Sequence, residues 1–171
     1  MPKRTFDALF GAHYLRVLRY AERRIADQQV AEDVAADTFE LAWQRISAEG
    51  AEIDLPWLYQ TAAFKLRDQY RRNSRRREAV TALERFAEEA PDALSALDRL
   101  ALVEALRSLG DRDREVLMLT YWDGLSAAEV GAVVGTTPNA VWATLSRART
   151  KLKAQLDADI RAGGRHVTHG R

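Results

Sequence analysis

Apolar side chains in this chain recur three and four residues apart over long stretches, which is the period of a helix and not the alternation of a strand. Phe6, Leu9, Phe10, Tyr14, Val17, Leu18, Ala21 and Ile25 form the first such series. It predicts an amphipathic helix over 6–25 with Thr5 as its N-cap. A second helix is expected over 30–46 behind a capping Asp27. A third should open at Leu55-Pro56-Trp57, where proline suits the first turn, and run to about residue 77. Only nine Gly and four Pro stand in 171 residues, so little interrupts these patterns.

Charge divides the chain. Residues 65–77, KLRDQYRRNSRRR, hold seven bases and one acid; residues 78–98 hold six acids and one base. That reversal, with Pro91 inside it, predicts an acidic linker over 78–97. Helical spacing resumes at Leu100, Val103 and Leu106, with further helices expected over 111–122, 127–134 and 138–156. The expected organisation is all-α: a helical domain over 1–77, the linker, a second helical domain over 98–157, and a disordered tail over 158–171. No cysteine is present, which removes disulfides and thiolate metal sites and suits a reducing cytoplasm. No apolar run approaches the roughly 20 residues of a membrane span. The first 20 residues lack the apolar centre of a signal peptide.

The second half carries a helix-turn-helix pattern. Ser126-Ala-Ala-Glu129 is a capping box. The short helix it opens ends at Gly135, and Thr137-Pro138 starts another as N-cap and first residue. Gly131 supplies the small side chain that lets the two helices cross closely. On the last helix Val141, Leu145, Ala148 and Leu152 form a core stripe. Asn139, Trp142, Ala143, Ser146, Thr150 and Lys153 face the other way, flanked by Arg147, Arg149 and Lys151. A cationic helix with short polar groups at its start can enter a DNA major groove. It can equally be the solvated helix of a small bundle.

In the first half, Asp33, Asp37, Glu40 and Gln44 share one face of the second helix. Such a stripe is either a solvated face or a docking surface for a basic partner. The third helix interleaves Trp57, Tyr59, Phe64 and Tyr70 with Lys65, Arg67, Arg71, Arg72 and, beyond them, Arg75 to Arg77. Arginines neutralise phosphates and aromatic faces stack on unpaired bases, a combination suited to opened DNA. Against this, Tyr59, Ala63, Leu66 and Tyr70 also read as a buried stripe.

The segments AEDVAADTFELAW, PWLYQTAAFKLRDQYRR and LGDRDREVLMLTYWDGLSAAEVGAVVGTTPNAVWATLSRARTKL, in this order, resemble a bacterial RNA polymerase sigma factor of the extracytoplasmic-function (ECF) group. The resemblance implies that Asp33, Asp37, Glu40 and Gln44 face the clamp helices of the polymerase β′ subunit. It implies that Trp57, Gln60, Phe64, Lys65, Arg67, Arg71, Arg72 and Arg75 hold the melted minus-ten element. Residues 47–55 correspond to a loop that captures a flipped base, with Ser47, Glu49 and Asp54 as candidates. Thr137, Asn139, Trp142, Ala143, Ser146, Arg147 and Arg149 would read the minus-thirty-five element, on a domain seated on the β flap. An anti-sigma partner is implied by the family; a cofactor, a metal and membrane insertion are not. The chain departs from common family residues at Gly110, Phe64, Trp142 and Thr144.

Two other classes compete. A free-standing helix-turn-helix regulator would use the first half for dimerisation or sensing. An enzyme finds little support: His166 and His169 lie in a Gly-rich tail without a third ligand, and His13 falls on the apolar face of the first helix.

Overall fold

The computed structural model describes residues 1–72, 82, 84 and 96–164, and every regular element among them is helical. Helix α1 spans Pro2–Glu22. It starts earlier than the apolar series does, because Pro2 occupies the first turn, where a missing N–H costs nothing. Thr5 therefore lies inside the helix; its hydroxyl donates to the Met1 carbonyl instead of capping.

Helix α2, Gln28–Glu49, begins where expected from its cap: the Asp27 carboxylate accepts from the N–H groups of Gln29 and Val30. It stops at Gly50, whose φ of +63° is the left-handed conformation of a helix C-cap. Helix α3 covers Leu55–Arg72. The three helices bury their apolar stripes together: Val17, Tyr20 and Ala21 meet Val34, Ala35 and Phe39, and Leu58, Tyr59, Ala62 and Leu66. Each large side chain so removed from water contributes about 1.5–3 kcal/mol. Phe6, Phe10, Tyr14, Phe39 and Trp43 close one end as a ring cluster, with centroids 4.6–6.4 Å apart.

The second half comprises α4 (Ala96–Ser108), α5 (Asp111–Tyr121), α6 (Ala127–Val134) and α7 (Pro138–Gly164). Val103, Leu106, Val116, Leu119, Val130, Val141, Leu145 and Ala148 are its buried centre. Two sequence expectations change here. Residues 158–164, read as disordered tail, continue α7; nothing in their composition stops a helix before the Gly163-Gly164 pair. Within the expected linker, residues 96 and 97 already belong to α4, Ala82 is buried, and Glu84 lies 2.9 Å from the Arg107 guanidinium. The remainder of that segment, with Pro91, and the His166/His169 pair lie outside the described residues.

The halves that the charge reversal separates in sequence adjoin in space. Their buried side chains form one continuous core, and α3 lies against α6. At Gly131 the helix meets the backbone of the turn that follows it, not the second helix of the pair. A Cβ built there would stand 2.7 Å from the Thr136 carbonyl oxygen, a backbone atom that cannot swing away. Gly131→Ala should therefore destabilise the protein by roughly 1–3 kcal/mol despite alanine's better helix propensity. Urea unfolding followed by circular dichroism reads this directly. A gain in stability would show that the turn can shift.

Candidate nucleic-acid and protein-docking interface

Three solvent-facing surfaces stand on opposite sides of the buried stripes that fix them. On α2, Asp33, Asp37, Glu40 and Gln44 are all exposed, while Val34, Ala35, Phe39 and Ala42 between them are buried. The Gln29 amide donates to Asp33 at 3.0 Å; among the described residues the other three side chains have no hydrogen-bond or ion-pair partner. Trp43 lies beside them and is 37% exposed.

Helix α3 sorts its aromatic residues. Tyr59 is fully buried, and the half-buried Tyr70 donates its hydroxyl to the Arg24 carbonyl. These two belong to the core. Trp57, half-buried, carries the Arg45 guanidinium 5.8 Å from its ring centre. Phe64 is 61% exposed. With Gln60, Arg67 and Arg71 they make a ridge at helical spacings of three and four residues. Lys65 sits half-buried to one side. Arg72 is the last residue of α3; its side chain and all of Arg75 fall outside what is described.

The connection between α2 and α3 is shorter than the expected 47–55. Ser47 and Glu49 belong to α2: the Ser47 hydroxyl donates to the Gln44 carbonyl at 3.3 Å, and Glu49 pairs with Arg45. The Asp54 carboxylate accepts from the Trp57 N–H at 2.9 Å and caps α3. All three side chains proposed for base capture thus have structural partners.

The helix-turn-helix is built as its sequence dictates. Ser126 Oγ accepts from the Glu129 N–H at 3.2 Å, and Glu129 accepts in return from the Ser126 N–H at 3.3 Å. Gly135 turns the chain with a φ of +75°. Thr137 Oγ1 accepts from the Ala140 N–H at 3.2 Å, spending its hydroxyl on the cap. Beyond it Asn139, Trp142, Ala143, Ser146, Arg147 and Arg149 are exposed, and Trp142, Ser146 and Arg149 line up along α7. Asp113 of α5 lies 3.8 Å from Arg147 and 3.5 Å from Lys151. Thr144 is buried and accepts from the Arg147 guanidinium.

One constellation escaped the sequence reading altogether. Asp123, with only 1% of its side chain exposed, accepts from Arg23 at 2.8 Å, from Arg24 at 3.5 Å and from the Tyr59 hydroxyl at 3.4 Å. Its backbone carbonyl accepts from Arg16. Glu115 takes the Arg24 Nε and the Tyr20 hydroxyl, and the Arg24 guanidinium also lies 3.7 Å over the Tyr20 ring. The Asp123 carboxyl is pushed up by burial, which outweighs the pull of Arg24 and Arg23. Burial opposes the Arg24 charge, yet Glu115, Tyr20 and Asp123 together raise its pKa. Adjacent arginines at a helix end read in sequence as solvated cations, and Asp123-Gly124 as an ordinary turn; no spacing rule links residues a hundred positions apart.

Residues 9–76 match the family described as Sigma-70 region 2, and residues 99–152 that described as Sigma-70, region 4. The RNA polymerase sigma factor CnrH of Cupriavidus metallidurans is 32% identical over 92% of this chain and 89% of its own. The chain belongs to the ECF RNA polymerase sigma factors. SigL of Mycobacterium tuberculosis, an ECF sigma factor, is 31% identical over 87% of each chain. CnrH solved in complex with the cytosolic domain of CnrY superposes with a TM-score of 0.64, at 30% identity, over 92% of this chain and 90% of that one. RpoE of Bartonella quintana, solved with the anti-sigma factor NepR, shares the fold at a TM-score of 0.61 and 21% identity, over 90% and 98% of the two chains. The resemblance in the sequence is thereby confirmed, and promoter recognition with RNA polymerase is this family's function. No helix among the described residues is long and apolar enough to cross a membrane.

In this sigma factor the buried phenols give an alkaline signature. Burial and the neighbouring Asp123 push Tyr59 up to about 12, and burial with Glu115 holds Tyr20 well above its ordinary value. Unfolded tyrosines ionise near 10. The unfolded state therefore releases these protons first, and stability should fall as pH rises from about 10 towards 12. Guanidinium unfolding across that interval measures the slope, which Tyr59→Phe should make shallower.

Proposed function

We propose that this sigma factor mounts core RNA polymerase through the α2 carboxylate stripe, holds the melted minus-ten strand along the α3 ridge, and reads the minus-thirty-five duplex with α7. The observation that carries this reading is the α3 ridge. Trp57, Gln60, Phe64, Arg67 and Arg71 face outward in line, whereas the remaining aromatics of that helix are core. Two aromatic faces followed by two cations along one edge suit an unpaired strand, whose bases stack and whose phosphates pair with guanidiniums.

Exposed Asp33, Asp37, Glu40 and Gln44 offer a rigid acidic edge, to be met by cations on the clamp helices of β′. The second half sits on the β flap, with Asn139, Trp142, Ala143 and Ser146 turned to base edges and Arg147 and Arg149 to phosphates. Thr137 serves as the cap of the reading helix. The protein acts by binding alone, in the cytoplasm, without covalent chemistry or a cofactor. An anti-sigma factor of the kind bound to the Bartonella relative would control it by covering these surfaces.

Asp37→Arg reverses the charge at the centre of the stripe without touching the core. It should abolish co-elution with core polymerase while thermal unfolding stays unchanged; retained co-elution returns the stripe to a solvated face. On α3, Arg67→Ala with Arg71→Ala should lower the slope of log affinity against log salt for single-stranded promoter DNA by roughly 1.4, two phosphate contacts at about 0.7 each. An unchanged slope places the strand elsewhere.

A further inference from the structure

The first two turns of α7 present apolar and short polar groups to solvent and no charge. Val141, Leu145 and Ala148 are buried, so Trp142 stands on the opposite side with 57% of its surface exposed. Ala143 beside it is exposed, as are Asn139 one turn before and Ser146 one turn after. No charged residue occurs between Pro138 and Ser146. The cations come later and are already engaged. The Arg147 guanidinium donates to Thr144 Oγ1 at 3.4 Å and lies 3.8 Å from Asp113. Arg149 Nε donates to the Leu145 carbonyl at 3.3 Å. The commonest specific contact in a major groove is an arginine or lysine on guanine O6 and N7. The start of α7 offers no cation to make it.

We infer that Trp142, with Ala143, reads thymine methyl groups, so that the minus-thirty-five element of this protein is set by thymine at one or two adjacent positions and not by arginine–guanine pairs. This rests on the reading of α7 as the groove-reading helix. The C5-methyl of thymine is the apolar group that a major groove presents. An indole face covers it by dispersion and by removing it from water, with no hydrogen bond required. The indole N–H is a donor only. It suits the thymine O4 acceptor and is opposed by the amino group that cytosine carries at the same place. Asn139, three residues earlier on the same face, supplies the amide that pairs with adenine N6 and N7, the base opposite each thymine. Both residues thus favour the same A·T step from its two sides.

The test changes the DNA first and the protein second. Holoenzyme assembled from the full chain and core polymerase selects duplexes from a library randomised across both promoter elements. Each thymine of the selected minus-thirty-five element is then replaced by deoxyuridine, which takes away the C5-methyl and leaves every hydrogen-bonding edge in place. Affinity should fall about fourfold at one or two adjacent positions, the effect of one methyl-sized group left in water. Trp142→Ala, with helical content retained, should bind the thymine and deoxyuridine duplexes equally. Trp142→Phe, which keeps an apolar face, should restore part of the difference. An element of G·C pairs alone, or an affinity indifferent to every deoxyuridine, overturns the proposal. So does a thymine–deoxyuridine difference that survives in the folded alanine variant, or an alanine variant that fails at core polymerase and not at DNA. Selection of a minus-ten element with no upstream preference at all sinks the reading of α7 as the groove-reading helix, and the proposal with it.

Discussion

A carboxylate almost wholly removed from water survives only if its charge and lone pairs are met by protein groups. Asp123 meets that condition with two guanidiniums and a phenol that converge from α3 and the chain just past α1. Much of the architecture follows from it. Arg23 and Arg24 are held where α1 ends, Tyr59 must turn inward from α3, and the turn between α5 and α6 is pinned against both. The helix-turn-helix consequently stands at a defined place on the first three helices. The surrounding apolar core excludes the water that would otherwise weaken these pairs.

Around that junction each of the three helices obeys one rule: the buried stripe orients it and the opposite stripe is left facing solvent. Val34, Phe39 and Ala42 orient the carboxylates of α2; Leu58, Tyr59 and Leu66 orient the ridge of α3; Val141, Leu145 and Ala148 orient the polar face of α7. The residues proposed to make contacts thus sit on regular helices, whose side-chain directions packing has already fixed.

What could be read from the chain depended on range. Caps and stripes are local, so Asp27, the Ser126–Glu129 box, Gly135 and the Val141–Leu145–Ala148 face were legible from spacing alone. The split of the α3 aromatics was half legible: periodicity marked Tyr59 and Tyr70 as a possible core stripe but could not choose it over a stacking role. Ser47, Glu49 and Asp54 looked free because loop ends are invisible in sequence; the structure extends α2 through two of them and makes the third a cap. The Asp123 junction was not legible at all. It joins residues about a hundred positions apart, and its arginines and acids look in sequence like any surface charges.

The ion pairs of Asp113 bear on how this protein would respond to its ionic surroundings. With Arg147 at 3.8 Å and Lys151 at 3.5 Å, the acid is a tethered counterion, so these cations do not rely wholly on dissolved anions for company. Were α7 to read a duplex as proposed, a phosphate would displace a carboxylate that stays attached to the protein. Such an exchange frees fewer small ions than the docking of unpaired cations, and ion release is what makes DNA affinity fall steeply with added electrolyte. On the proposed reading, groove recognition by this helix would be buffered against changes in salt, with a weaker raw attraction.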